Sequence, residues 1–108
     1  MSQITTHVLD AALGSPARGI GVVLTAADGA EIASGVTDEA GRISDLGPDR
    51  LEAGTYGLTF ATGEYFAETG RATFYPVVSI DFAVADPDQH YHVPLLLSPY
   101  AYSTYRGN

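Results

Sequence analysis

The chain has 108 residues, and its 13 acidic and 5 basic residues give a net charge of −8. This length is typical of one domain with its own core, so we expect a single domain over residues 1–108. The sequence contains no cysteine, which excludes disulfide scaffolds, iron–sulfur clusters and thiol catalysis. The few basic residues are all arginines, so we expect no nucleic-acid partner and no binding to an anionic membrane.

The start of the chain carries no basic segment followed by an apolar run, as a secretory signal would. No stretch approaches the about 20 apolar residues that cross a membrane as a helix. We therefore expect a cytoplasmic protein. Charged residues make up 17% of the chain, below the roughly 25% of an average soluble domain. This low share indicates either surface that is buried by self-association or a surface rich in glycine and threonine loops.

Short apolar stretches alternate with turn signals along the whole chain, which is typical of an all-β sandwich. Alternating apolar positions predict eight strands, over residues 4–9, 19–27, 31–37, 42–46, 54–62, 76–85, 90–98 and 100–105. The first strand ends at Gly14-Ser15-Pro16, and Asp28-Gly29 predicts a tight hairpin between the second and third strands. The fold class expected is therefore all-β, a two-sheet sandwich.

One short helix is predicted between the fifth and sixth strands. Thr62 is a candidate N-cap, Glu64 suits the positive N-terminal end, and Gly70 suits the C-terminal stop. The last predicted strand is rich in tyrosine, with Tyr100, Tyr102 and Tyr105. These rings indicate either an edge that pairs with another subunit or a strand that covers the core of its own domain.

The three histidines are the side chains best suited to proton transfer near neutral pH, and they are His7, His90 and His92. His90 and His92 are two positions apart in a predicted strand, so they point to the same face. Each could be a structural, hydrogen-bonded residue. Together they could hold zinc with an open position for water. They could also activate water without a metal, with Arg42 or Arg106 stabilising the negative charge that develops.

Three segments carry a more specific signal. Residues 5–10 read Thr-Thr-His-Val-Leu-Asp, residues 37–42 read Thr-Asp-Glu-Ala-Gly-Arg, and residues 90–108 run from His-Tyr-His-Val-Pro to Tyr-Arg-Gly-Asn. The likeness to a known family covers essentially the whole chain, including Gly63-Glu64-Tyr65-Phe66 and Phe74-Tyr75-Pro76. The sequence resembles the 5-hydroxyisourate hydrolases, transthyretin-like enzymes of urate breakdown.

The resemblance implies a transthyretin-like sandwich of eight strands and one short helix. It implies a homotetramer, a dimer of dimers, with active sites at the dimer–dimer interface. The implied reaction is hydrolysis of 5-hydroxyisourate to 2-oxo-4-hydroxy-4-carboxy-5-ureidoimidazoline, in which water adds to a ring carbonyl and opens a cyclic amide. The implied partner is this small-molecule substrate, and no metal or organic cofactor takes part. The same fold serves vertebrate transthyretin as a hormone carrier, so a small-molecule carrier is the alternative function.

The resemblance also assigns residues to roles. It implies three catalytic residues, His7, Arg42 and His92. It implies substrate binding by the C-terminal segment, Tyr105, Arg106, Gly107 and Asn108. Asn108 departs from the family pattern, which has serine at this position. An asparagine amide can hold a substrate by hydrogen bonds but is a poor proton shuttle, so a proton relay at this position is in doubt.

Overall fold

The computed structural model describes residues 2–108, which form two β-sheets and one short helix. The elements in chain order are β1 (Ile4–Asp10), β2 (Ser15–Pro16), β3 (Gly21–Ala26), β4 (Glu31–Val36), β5 (Arg42–Ile43), β6 (Gly54–Phe60), α1 (Thr62–Glu68), β7 (Val78–Val84), β8 (Tyr91–Ser98) and β9 (Ala101–Thr104). One sheet has the order β2-β1-β8-β9, with β5 also paired to β1, and the other has the order β4-β3-β6-β7. The expected all-β sandwich with one helix is confirmed.

Two strands differ from the sequence-based expectation. The described residues contain nine strands, because Ser15–Pro16, read as a break, pairs back onto the end of β1 as β2. The Asp10 carboxylate accepts the backbone N–H of Leu13 at 3.0 Å, which tightens the turn that returns the chain. The strand expected over residues 42–46 stops at Ile43, and Leu46 instead donates its backbone N–H to the Ser2 hydroxyl at 2.7 Å and buries its side chain.

The helix begins and ends close to the predicted positions, but its N-cap is different. Ala61 occupies the N-cap, and no side chain caps the helix. The Thr62 hydroxyl donates instead to the Tyr75 carbonyl at 2.7 Å, so it ties α1 to the segment before β7. Glu64 lies in the first turn, as expected. Gly70 follows the C-cap residue Thr69 and confirms the predicted stop.

A buried ionic network fixes α1 against β1. Asp10 is fully buried, and its carboxylate accepts hydrogen bonds from the Tyr65 hydroxyl at 2.7 Å and from Arg71 at 2.6 Å. Burial by itself raises the pKa of Asp10, but the hydrogen bonds from Arg71, Tyr65 and the backbone of Leu13 bring it below its ordinary value. Burial and the neighbouring carboxylate raise the pKa of Tyr65 to about 12. The Arg71 guanidinium also lies 5.0 Å from the centre of the Phe66 ring.

The two faces of the β1–β8 sheet have opposite characters. Inward-facing residues of β1 and β8, such as Ile4, Val8, Leu95 and Leu97, are fully buried between the sheets. Their neighbours in sequence point outward, because side chains alternate along a strand. The outward positions of β1 and β8 include His92. The polar side chains of the candidate site therefore lie on the outer face of this sheet.

The far edge of the same sheet is formed by β9. All four of its residues are exposed, as are Tyr100 and Tyr105 on either side. Tyr102 packs edge-on against Tyr75, with 5.0 Å between the ring centres. The strand thus presents an open hydrogen-bonding edge. Within residues 2–108, no helix is long and apolar enough to span a membrane.

Candidate active site

Strand pairing brings the three candidate catalytic residues to one face of the sheet. His7 of β1 is opposite Arg42 of β5, and Thr5 of β1 is opposite His92 of β8. Cα partners in paired strands place their side chains on the same face. His7, Arg42 and His92, which lie up to 85 residues apart in the sequence (His7 to His92), therefore share one outer surface.

A tight turn places Arg42 beside β1. The Asp38 carboxylate accepts the backbone N–H groups of Ala40 and Arg42, both at 2.9 Å. Gly41 has φ +74, in the left-handed region, and a Cβ there would collide with the carbonyl of Val8. Glycine is therefore required for the chain to turn this close to β1. Its carbonyl accepts the Val8 N–H at 2.7 Å, which holds the Arg42 end of β5 on the strand that carries His7.

His92 is half-buried, and its two ring nitrogens have different surroundings. Nδ1 lies 2.7 Å from the Thr5 hydroxyl, whereas Nε2 has no hydrogen-bond partner among residues 2–108. Burial lowers the pKa of His92, and the positive charge of Arg42 and the neighbouring histidines lower it further. His92 is therefore held in its neutral form, with one nitrogen available to a bound molecule.

His7 is held differently. Its Nε2 lies 2.9 Å from the carbonyl oxygen of Ala40. A carbonyl only accepts hydrogen bonds, so Nε2 carries the proton and Nδ1 is the acceptor in the neutral ring. His7 is therefore anchored to the turn that also positions Arg42.

The C-terminal segment folds back over His92. Gly107 donates its backbone N–H to the His92 carbonyl at 2.8 Å and forms an isolated bridge with this residue. The Arg106 guanidinium donates to the Gln89 side chain at 3.0 Å and to the His90 carbonyl at 3.2 Å. It also lies 4.4 Å from the centre of the Tyr91 ring. These contacts place residues 106–108 beside His92.

A cleft of about 230 Å³ lies between these elements; its lining includes Ile43 and the polar residues Thr5, Arg42, Ser44, His90, His92 and Asn108. His7 borders this cleft through its pairing with Arg42 and is not part of the lining. Arg106 and Gly107 line the adjoining hollow with Asn108. Tyr105 faces a separate, apolar depression between β7 and β9. Of the predicted site residues, the structure thus brings Arg42, His92 and Asn108 into one cleft, and the others lie beside it or, for Tyr105, in a separate depression.

The structure gives the zinc hypothesis no ligand set. Across residues 2–108, no three histidine or carboxylate side chains are placed to bind one metal ion. His90 and His92 instead share the hydroxyl of Thr5. Thr5 and Ser44 line the cleft but were not among the predicted site residues. The sequence signal that could have identified Thr5 is its position two residues before His7 in one strand, which puts both side chains on the same face.

Comparison with known proteins identifies the family. A model of the HIUase/Transthyretin family matches residues 4–107. A 5-hydroxyisourate hydrolase of Caulobacter vibrioides is 48% identical over the full length of both chains. The structure of Klebsiella pneumoniae 5-hydroxyisourate hydrolase superposes with a TM-score of 0.90 at 41% identity, over 97% of this chain and 98% of that one. Sea bream transthyretin in complex with thyroxine superposes with a TM-score of 0.89 at 35% identity, over 97% and 94% of the two chains. The chain belongs to the HIUase/transthyretin family.

Proposed function

We propose that this chain hydrolyses 5-hydroxyisourate to 2-oxo-4-hydroxy-4-carboxy-5-ureidoimidazoline without a metal or organic cofactor. The observation that carries the proposal is the half-buried His92, which lines a cleft together with Arg42. The pKa of His92 is lowered, and its Nε2 has no hydrogen-bond partner among residues 2–108. A neutral imidazole and a fixed cation in one cleft suit attack of water on a carbonyl. The hydrolase relatives, which match the whole chain, support the choice of substrate.

In the proposed mechanism, His92 is the general base. Its Nε2 accepts a proton from water as the water oxygen forms a bond to the ring carbonyl carbon. The Arg42 guanidinium stabilises the oxyanion that develops, because its planar donors match two oxygen atoms at once. The ring C–N bond then breaks, and the proton on His92 passes to the leaving nitrogen. We assign the base to His92 because it lines the cleft, whereas His7 does not.

The remaining site residues have supporting roles. His7 presents Nδ1 as an acceptor next to Arg42 and binds a substrate N–H or orients water. Asn108 lines the cleft, and its side-chain amide binds the substrate ring. Arg106 and Gly107 hold Asn108 in place through their contacts with residues 89–92. Tyr105 contributes from outside this cleft, and its role in substrate binding stays a prediction.

The proposal includes a homotetramer, a dimer of dimers, with the sites at the dimer–dimer interface. The exposed edge of β9 supports it, because an open edge strand is a template for pairing with a second copy. The position of the cleft on the outer face of the sheet also supports it, since a second dimer packed there would close the cleft to bulk solvent. The cytoplasmic location stays a prediction.

Substitution of the proposed catalytic residues tests the mechanism. We expect His7→Asn, Arg42→Glu and His92→Asn each to lose orders of magnitude in kcat while the tetramer persists in gel filtration. Arg18→Glu is the matched control for Arg42→Glu, because Arg18 is an exposed arginine away from the cleft. Near-wild-type turnover in one of the three variants would remove that residue from the mechanism.

The carrier alternative has one supporting observation, the likeness to the thyroxine-bound transthyretin of sea bream. A carrier site for an apolar hormone needs apolar walls, whereas this cleft is lined by Arg42, His90 and His92. Calorimetry with thyroxine separates the two functions. Tight thyroxine binding without turnover of 5-hydroxyisourate would favour the carrier.

A further inference from the structure

We propose that Thr5 is a positioning residue for His92, and that its hydroxyl joins His92 and His90 in one directed hydrogen-bond chain that keeps His92 Nε2 free of its proton. The inference rests on the proposed function in one respect, since it assigns the base to His92. It adds two residues, Thr5 and His90, that act on the reaction without touching the reacting atoms.

The geometry places one hydroxyl between two imidazoles. Thr5 Oγ1 lies 2.7 Å from His92 Nδ1 and 2.9 Å from His90 Nε2. Thr5 is 9% exposed, whereas His90 is exposed. The arrangement follows from strand register, because Thr5 is the Cα partner of His92 in the parallel β1–β8 pair. His90 is held in place by its neighbour, since Tyr91 donates its backbone N–H to the Gln3 carbonyl at 3.0 Å.

A hydroxyl has a single hydrogen, and this limits the protonation states of the two rings. When Thr5 donates to one ring nitrogen, that nitrogen must lack a proton, and Thr5 accepts from the N–H of the other ring. A His92 base needs a bare Nε2, so its proton must lie on Nδ1, where it donates to Thr5. The Thr5 hydroxyl then donates to His90 Nε2, and His90 carries its own proton on Nδ1.

The chain therefore couples the tautomers of the two rings, and in the direction proposed here, with Thr5 donating to His90, His92 has the tautomer that can act as a base. Without the hydroxyl, no other group among residues 2–108 is hydrogen-bonded to His92 Nδ1. The ring would then carry its proton on Nε2 in part of the population, and that fraction cannot accept a proton from water. After proton transfer, the same contact stabilises the imidazolium, because a hydrogen bond from a charged donor is stronger than one from a neutral donor.

A merely structural role for Thr5 makes a different prediction. Valine has nearly the same shape as threonine and the same preference for strands. If Thr5 only fills its place in β1, Thr5→Val leaves the tautomer of His92 unchanged. If the hydroxyl positions His92, Thr5→Val changes that tautomer and Thr5→Ser restores it.

The experiment is NMR of the histidine side chains in ¹⁵N-labelled protein, at a pH where both rings are neutral. We expect wild-type His92 and His90 both to carry the proton on Nδ1. In Thr5→Val, His92 shifts toward the form protonated on Nε2, and kcat falls by about 10- to 100-fold with KM little changed. This loss is smaller than the roughly 10⁴-fold cost of a wrong tautomer in a Ser-His-Asp triad. Thr5→Ser restores both readouts, and Thr62→Val, which removes a buried hydroxyl remote from the cleft, changes neither.

His90 gives a second, independent test. His90→Phe removes the acceptor at the far end of the chain, so the Thr5 hydroxyl is free to donate to His92 Nδ1. We expect His92 to shift toward the Nε2-protonated form, although the two rings have no direct hydrogen bond.

Two results would overturn the inference: an unchanged His92 tautomer in Thr5→Val, or a changed tautomer in that variant with kcat at the wild-type level. The NMR readout needs no substrate. It therefore tests the hydrogen-bond chain through Thr5 even if the wild-type protein proves not to hydrolyse 5-hydroxyisourate.

Discussion

Gly107→Ala tests whether the chain end and His92 form one packed unit in the working enzyme. A Cβ on Gly107 would lie 2.5 Å from His92 Cδ2, 3.2 Å from His92 Cγ and 3.3 Å from Pro94 Cγ. Non-bonded carbon atoms rest at about 3.5–4.0 Å. The added methyl group and the imidazole must therefore move apart by about 1 Å. Gly107 does not have a positive φ, so backbone strain makes no contribution to the effect.

This displacement sets the expected magnitude. A misplacement of about 1 Å can cost on the order of 10²-fold in rate. We therefore expect kcat/KM for 5-hydroxyisourate to fall about 10²-fold in Gly107→Ala, which corresponds to about 2.7 kcal/mol of transition-state stabilisation. The same loss is expected if the chain end moves instead of the ring, because Asn108 then leaves the cleft.

Gly54→Ala is the matched control. Among residues 2–108, its new Cβ would meet only Tyr56 Cε2, at an ordinary 3.9 Å, so we expect kcat/KM to stay at the wild-type level. The assay is the decay of 5-hydroxyisourate absorbance under steady-state conditions, with circular dichroism and gel filtration to confirm fold and assembly. A Gly107→Ala variant that is folded, assembled and within about threefold of wild type would refute the reasoning, since packing of the tail against His92 would then be irrelevant to catalysis.

Three further predictions concern stability, pH and the C-terminus. Arg71→Leu leaves the buried Asp10 carboxylate without its cation, so denaturant unfolding should show a loss of about 3–5 kcal/mol at neutral pH. This loss of stability should become smaller in acid. Folding lowers the pKa of Asp10, so the ionised carboxylate stabilises the fold fully above the pKa that Asp10 has in the unfolded chain. That stabilisation disappears as the pH falls through the pKa of Asp10 in the folded protein. Activity should fall in acid as His92 gains a proton, and Arg42→Gln should raise the pKa of His92 in an NMR titration, because it removes a neighbouring positive charge. Asn108→Ser should keep kcat/KM within about tenfold of wild type, because His92 transfers the proton without residue 108.

Each of these has a contradicting result and, for the first, a control. Arg18→Leu removes an exposed ion pair and should change stability little. If Arg71→Leu and Arg18→Leu lost the same free energy of unfolding, the contact between Arg71 and Asp10 would not be stabilising the fold. An unchanged His92 titration in Arg42→Gln would mean that the guanidinium does not act on the ring. A rate increase well beyond tenfold in Asn108→Ser would show that a terminal hydroxyl carries the proton.

Much of the architecture could be predicted because it depends on local pattern. Alternation of apolar residues placed seven of the eight predicted strands within two residues of their observed bounds. Asp28-Gly29 marked the β3–β4 hairpin, and Gly70 marked the end of α1. The three candidate catalytic residues came from motifs that resemble a family, and the structure places them on one face.

The remaining features depend on contacts between distant parts of the chain. Strand β2 forms because the Asp10 carboxylate organises the turn that follows β1. The Thr62 hydroxyl binds the Tyr75 carbonyl, 13 residues away, and so does not cap its own helix. Thr5 meets two histidines 85 and 87 residues further along the chain. Side-chain partners of this kind follow from strand register, which a single sequence does not specify.

An ultraviolet time course shows whether this chain hydrolyses 5-hydroxyisourate. Urate and urate oxidase generate 5-hydroxyisourate in the cuvette, and its decay is followed with and without the wild-type protein in excess EDTA. We predict a clearly faster decay that EDTA does not slow, which would establish a metal-independent hydrolase that tolerates Asn108. No acceleration by the folded, assembled protein would contradict the account. If Asn108→Ser then restored activity, the altered terminus would be the cause; if it did not, the chain would be a binding protein on a hydrolase scaffold.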